Sequence, residues 1–200
     1  GIAVSVASPV DAITGEMYNP PNLPWDNFNI KPVLQKELDL TVWVGNDGNL
    51  AALGEYLYGA GQGYRHMIYI TVSTGIGGGI IINGSLYLGA NGFSGEVGHM
   101  TIEQNGPVCP CGNYGCLEVL ASGTAIAQMA QDRIAAGDST LLSEKSEGNP
   151  DQIDAQMVAD AARSGDSLAR LIFGQAAESL GIGIVNLIHA FNPEIIVLGG

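Results

Sequence analysis

Apolar residues recur along the chain at two periods, and the change from one to the other places the elements. Gly1-Ile2-Ala3-Val4-Ser5-Val6 reads as a β-rich segment, so a strand is expected over residues 1–6. Residues 7–30 gather Pro, Asn, Asp and Gly, the composition of an ordered loop too long to be a mere connector. Thr41-Val42-Trp43-Val44 is a short β-branched strand broken at Gly45. It feeds a helix in which Leu50, Leu53 and Leu57 fall at helical spacing, so Asn46 and Asp47 lie at a strand-to-helix junction. Met67–Thr74 reads as the next strand and 75–79 as a glycine turn. Ile80–Ile82 and Ser85–Leu88 read as a hairpin closed by Asn83-Gly84, a pair that tolerates the left-handed backbone of a two-residue turn. Ser122 is placed to cap a helix running through Ala136 and ended by Gly137, and 138–150 is a polar loop. Two further helices follow. The last is expected over about 166–191, with Leu168, Leu171, Ile172, Leu180, Ile184, Leu187 and Ile188 as its buried stripe, and Asn192-Pro193 stops it before a final apolar strand. The architecture expected is mixed α/β, with no internal repeat.

Composition narrows the class. With 200 residues and 46% apolar content the chain can bury a substantial core. Twenty acidic against seven basic side chains give a formal charge of −13, which repels nucleic acid backbones and acidic membrane surfaces alike. No uninterrupted apolar run reaches the roughly 18 residues of a bilayer span, and no secretory leader pattern opens the chain. A cytoplasmic protein without nucleic acid or membrane partners is the expectation. The chain has no initiator Met and its ends fall in or beside apparent strands, so a fragment missing material on both sides is also expected.

The three cysteines, Cys109, Cys111 and Cys116, share one eight-residue window, and their odd number suits a disulfide framework poorly. His99 lies ten residues upstream and completes a Cys₃His set, the composition of a closed tetrahedral zinc site. Packing of the thiols as small hydrophobes is the alternative, but Pro110, Gly112, Asn113 and Gly115 are turn formers suited to wrapping backbone around an ion. Four protein ligands leave no position for water, so such a zinc would be structural.

The stretch Cys109-Pro-Cys-Gly-Asn-Tyr-Gly-Cys-Leu-Glu118, preceded by Gly95-Glu-Val-Gly-His99, resembles the two signatures of the ROK family, which contains bacterial sugar kinases and sugar-responsive repressors. The resemblance extends from Gly1–Asp11 through Asn46-Asp47 and Ser73–Gly79 to Glu194–Gly200. It implies an α/β, actin-like or hexokinase-type (ribonuclease H-like) fold of two domains around a central cleft, incomplete at both ends. Residues 1–50 would belong to the small domain and 51–200, with the zinc segment 99–116, to the large one.

The same resemblance implies ATP-dependent phosphorylation of a hexose, with glucose at its 6-hydroxyl favoured. Asp47 would be the general base, although an aspartate at this junction also reads as a helix N-cap. Asn22, Asn46, Asp47, Glu96, His99 and Glu118 would contact the sugar, one ring nitrogen of His99 facing zinc and the other the sugar. Asn22 lies in Pro20-Pro21-Asn22-Leu23-Pro24-Trp25, which resembles the sugar-side loop of glucokinase-like members or is an ordinary proline-rich loop. Thr74, Gly75 and Gly77, with Gly199 and Gly200, would meet ATP, whose phosphates magnesium bridges; a plain hairpin turn is the alternative for the glycines at 75–79. Homo-oligomers, dimers or tetramers, are common in the family. Two departures stand out: Ser8 occupies a position usually held by glycine, and the first phosphate loop of the Asp-Gly-Gly-Thr type is absent from the sequence. The competing reading is the sugar-sensing domain of a ROK repressor, against which the intact Asn46-Asp47 pair and the Thr74–Gly79 run argue. His66 and His189 read as structural.

Overall fold

A computed structural model of the chain describes residues 1–11, 13–18, 25 and 28–200. They form two compact units, one of residues 1–70, 77–96 and 193–199 and the other of 71–76, 97–192 and 200.

The first unit opens with strand β1 (Ile2–Val6), followed by helix α1 (Ile30–Leu38), strand β2 (Val42–Asn46) and helix α2 (Asp47–Tyr58). β1 and β2 pair in parallel with Ile2 opposite Val42 and Val6 opposite Asn46. Their alternation buries Val6, Val42 and Val44 with Val10 and Met17, and Phe28, Ile30 and Leu34 pack against that cluster. Strands β3 (Met67–Val72), β4 (Ile76–Ile82), β5 (Ser85–Leu86) and β6 (Ile195–Gly199) make a second sheet in the order β5-β4-β3-β6. Met67, Tyr69 and Ile81 from that sheet bury Ala52 of α2. The β4–β5 hairpin turns through Asn83 and Gly84, both at positive φ (53° and 78°), as the Asn-Gly pair predicts.

The second unit is helical: α3 (Leu117–Ala121), α4 (Gly123–Ala135), α5 (Leu141–Lys145), α6 (Ala155–Arg163) and the 25-residue α7 (Ser167–Phe191). Ser122 ends α3 and caps α4, its hydroxyl accepting from the Ala125 amide. Asp154 and Asp166 cap α6 and α7 in the same way. α7 packs against α3, α4 and α6. It is also long and apolar enough to cross a membrane by length and composition, which a search for an uninterrupted apolar run passes over.

Four expectations change. Residues 76–79 are strand rather than turn, and α2 lies almost backbone to backbone on β4 there. A Cβ on Gly79 would sit 2.5 Å from Ala52 Cβ, and one on Gly48 would sit 2.7 Å from the Gly78 carbonyl oxygen. α1 has no counterpart among the expected elements: Ile30, Val33, Leu34 and Leu38 do fall at helical spacing, but Pro32 stands in the first turn after a proline-rich stretch and no residue of the helix is fully buried; the Asn29 cap and the left-handed Asp39 mark its ends. The loop expected over 138–150 contains α5, capped by Thr140. In α7, Leu171 and Ile188 are exposed. The buried face keeps the expected Leu168, Ile172 and Leu187 and adds Ala169, Ala176 and Gly183; at Gly183 the missing side chain lets α3 approach until Leu117 lies where a Cβ would be.

The Gly79 contact is testable. Gly79→Ala should lower stability by about 1–3 kcal/mol through overpacking, read as a lower urea midpoint at unchanged slope. An unshifted midpoint would show that α2 does not press on β4.

Candidate functional site

The second unit brings His99, Cys109, Cys111 and Cys116 together, with one ligand atom from each lying within 4.8 Å of all the others. Cys111 Sγ is 3.7 Å from Cys116 Sγ, and Cys109 Sγ is 3.6 Å from His99 Nδ1. Metal–sulfur bonds of about 2.3 Å and metal–nitrogen bonds of about 2.0 Å, directed tetrahedrally, put two sulfurs about 3.8 Å apart and a sulfur and a nitrogen about 3.6 Å apart. The four residues therefore have the size and donor set of a closed tetrahedral centre, and Nδ1 is the His99 nitrogen on the sulfur side.

Local folding explains the convergence. His99 ends a 3-10 turn (Val97–His99), and Gly98 beside it has no space for a Cβ, which would run into the Ile76 carbonyl. The Cys109 amide donates to the Asn113 carbonyl (2.8 Å) and the Gly112 amide to the Cys109 carbonyl (2.9 Å), folding the loop back on itself. Gly115 (φ 59°) passes so close to the Glu103 carbonyl that a side chain is excluded. Cys116 stands at the N-cap of α3 but makes no side-chain cap bond, which leaves its sulfur to the cluster. Burial, together with the neighbouring thiols, pushes Cys116 up to about 12, and burial also raises Cys109. The Asn113 amide pulls the exposed Cys111 below its ordinary range. Two buried thiols that resist ionisation in one cluster are stabilised as thiolates by a bound cation.

Glu118, two residues beyond Cys116, turns towards the β3–β4 turn. Its Oε2 accepts from the Ile76 amide at 2.9 Å, and a Cβ on Gly75 would collide with that carboxylate. The start of α4 holds the same turn: the Gly123 amide donates to the Ser73 carbonyl (2.8 Å) and the Thr124 hydroxyl to the Thr74 carbonyl (2.8 Å). Beside it lies a cavity of about 560 Å³, lined by Ser73, Thr74, Thr124, Asp154, Gln156 and Phe173 among others. That is within the size range of ligand pockets. Thr124, Asp154 and Gln156 carry no motif; Asp154 reads in sequence only as the cap of α6.

Asn46 and Asp47 lie in the first unit. Asn46, not Asp47, is the N-cap of α2: its Oδ1 accepts from the Asn49 amide (3.1 Å) while its Nδ2 donates to the Ser8 carbonyl (3.3 Å). Asp47 follows as the first helical residue, exposed, its Oδ1 accepting from the Gly48 amide at 2.9 Å. Ser8 is buried, is not at positive φ, and donates its hydroxyl to the Pro9 carbonyl at 3.0 Å, so serine fits where glycine was anticipated. Glu96 is half-buried and follows Gly95, whose φ of 89° and closeness to Gly78 require glycine. Gly77 is part of β4; Gly199 ends β6 against Tyr69, and Gly200 abuts the Val72 carbonyl. Asn22 lies outside the described residues.

Comparison with known proteins gives this geometry a setting. The ROK family model matches residues 1–200. A glucokinase from Thermotoga maritima is 40% identical over 200 residues, covering 98% of this chain and 63% of that protein. A crystal structure of a ROK family glucokinase from Streptomyces griseus, in complex with glucose and AMPPNP, superposes with a TM-score of 0.87 at 37% identity, covering 97% of this chain and 63% of that one. A ROK family transcriptional regulator, homologous to the E. coli MLC protein, superposes at 0.89 with 35% identity, covering all of this chain and 49% of that one. The fold is thus the α/β, actin-like fold of the hexokinase type. The chain spans less than two thirds of the length of these relatives.

The cluster geometry makes a direct prediction. Metal analysis should find one ion per chain, and Cys116→Ser should weaken its affinity by more than roughly 100-fold, the upper range for disturbing a mere supporting residue. Retention of a full equivalent by that variant would place the ion elsewhere.

Proposed function

The chain belongs to the ROK family, and from that premise we propose that the protein containing it transfers the γ-phosphoryl group of ATP to a hexose, glucose at its 6-hydroxyl being favoured, with Asp47 as general base. The observation that carries this reading is the division of labour at the start of α2. Asn46 supplies the helix cap, and the Asp47 carboxylate stays exposed, held through Oδ1 by the Gly48 amide alone among the described hydrogen bonds. A carboxylate left available at a rigid strand-to-helix junction suits proton removal from a hydroxyl as phosphoryl transfer proceeds.

In this proposal Asn46, Asp47, Glu96, His99 and Glu118 hold the sugar's hydroxyls, carboxylates being strong acceptors for such donors; Asn22 joins them on the strength of its loop alone. His99 binds zinc through Nδ1 with Cys109, Cys111 and Cys116 and faces the sugar with its other ring nitrogen. Zinc, where bound, serves to fix these residues in place. Thr74 lines the cavity proposed for the nucleotide, Gly75, Gly77, Gly199 and Gly200 are assigned to ATP by the family resemblance, and magnesium accompanies the phosphates. The small domain takes residues 1–50 and the large domain 51–200. The protein acts in the cytoplasm, where ATP and hexoses meet.

A second reading rests on the likeness to a transcriptional regulator: the same fold senses a sugar without chemistry. The full-length gene product, assayed with ATP and a hexose panel, separates the two. Phosphorylation of glucose supports the kinase, while sugar-dependent operator binding with no phosphorylated hexose supports the regulator. Within the kinase reading, Asp47→Asn should keep the fold, read by circular dichroism, and lower kcat by roughly 10²- to 10⁴-fold. Wild-type turnover in that variant would remove Asp47 from the role.

A further inference from the structure

We propose that Glu118 is a positioning residue for the Ser73–Ile76 turn, so that the residue which meets the sugar also sets the shape of the turn that meets the nucleotide. This inference rests on the kinase reading above and extends it. The turn is gripped from one continuous segment, Glu118–Thr124. The Glu118 carboxylate accepts from the Ile76 amide (2.9 Å), the Gly123 amide donates to the Ser73 carbonyl (2.8 Å), and Thr124 donates to the Thr74 carbonyl through its hydroxyl (2.8 Å) and its amide (3.3 Å). Within the turn the Ser73 amide donates to the Gly75 carbonyl at 2.9 Å.

The grip is close but its Glu118 end is a flexible side chain. Any side chain at Gly75 would displace the Glu118 carboxylate, and a Cβ at Gly123 would lie 2.8 Å from the Ser73 carbonyl oxygen. The segment is itself anchored. It begins two residues after Cys116, and the intervening Leu117 donates its amide to the Met100 carbonyl at 2.9 Å, beside His99. A carboxylate has two oxygens. With Oε2 on the Ile76 amide, Oε1 remains for a sugar hydroxyl, and one rigid group then joins the two ligands. Ordering of Glu118 by sugar fixes the turn that borders the cavity, so sugar should tighten nucleotide binding, and nucleotide should tighten sugar binding by the same factor.

The test uses the full-length protein and isothermal titration with glucose and with Mg·AMPPNP, each alone and with the other saturating. Glu118→Ala should weaken glucose, weaken Mg·AMPPNP by roughly tenfold and abolish the mutual enhancement, a tenfold change corresponding to about 1.4 kcal/mol. Glu118→Gln keeps a side-chain carbonyl for the Ile76 amide and should restore nucleotide affinity while glucose stays weak. A merely structural role would not divide the two ligands in this way. Hydrogen exchange at the Ile76 amide supplies a ligand-free readout: faster in Glu118→Ala, protected in Glu118→Gln. Thr124→Val, which removes the hydroxyl donor to Thr74, should weaken the nucleotide and leave glucose unchanged. Wild-type nucleotide affinity and unaltered Ile76 exchange in a folded, metal-loaded Glu118→Ala variant would overturn the inference, with the kinase reading intact. A wild-type protein that binds neither ligand would instead overturn the kinase reading, and the exchange data would then judge the contact alone.

Discussion

Two backbones can touch only where neither carries a side chain in the way, and β4 is approached in this manner along much of its length. In the first unit Gly48 and Gly79 let the start of α2 lie on the strand, and Gly95, in a left-handed conformation, lets the chain pass against Gly78. In the second unit Gly98 rests against the Ile76 carbonyl and Gly75 makes room for the Glu118 carboxylate. Each contact depends on glycine for a steric reason that no other residue satisfies. These approaches fix where Asn46, Asp47, Glu96 and His99 leave the backbone, because each of those residues lies next to, or two positions from, one of these glycines.

The metal cluster adds a second fixed point by different means. Its loop is held by short backbone hydrogen bonds and by Gly115, and burial raises the Cys116 and Cys109 thiols, so that a metal binding there would displace their protons. Cys116 opens α3, α3 carries Glu118, and α3 ends at Ser122, where α4 begins. Rigidity at the sulfurs is thereby passed within a few residues to the β3–β4 turn and the cavity beside it. A metal held by these four residues would have its coordination shell filled by protein and would brace the segment rather than perform chemistry.

The family holds both enzymes and regulators, and fold alone does not choose between them. The choice turns on polar groups that a sensor has no need to preserve. An exposed aspartate at the start of α2, and a turn braced at several points next to a cavity of about 560 Å³, are the features on which the proposed phosphoryl transfer rests. The acidic surface agrees with small neutral or magnesium-bound partners and opposes direct contact between this segment and DNA.

Much was legible from residues alone. Spacing picked out β1, β2, the Asn83-Gly84 hairpin, the Ser122 cap and the extent of α7, because periodicity and turn chemistry act over a few neighbours. The His99, Cys109, Cys111 and Cys116 set was legible because metal ligands close together in sequence need little tertiary help to converge. Other features depended on contacts between distant segments. The glycines at 77–79 read as a turn although α2 lies on them, α1 follows a proline-rich stretch and holds Pro32 in its first turn, which masks its Ile30, Val33, Leu34 and Leu38 spacing, and Leu171 and Ile188 match the helical period yet are exposed. Which of Asn46 and Asp47 caps α2, and that Glu118 reaches the Ile76 amide 42 residues earlier in the chain, were likewise settled by packing. Local pattern encodes what a residue can do; the close approach of backbones far apart in sequence decides which of those possibilities it performs.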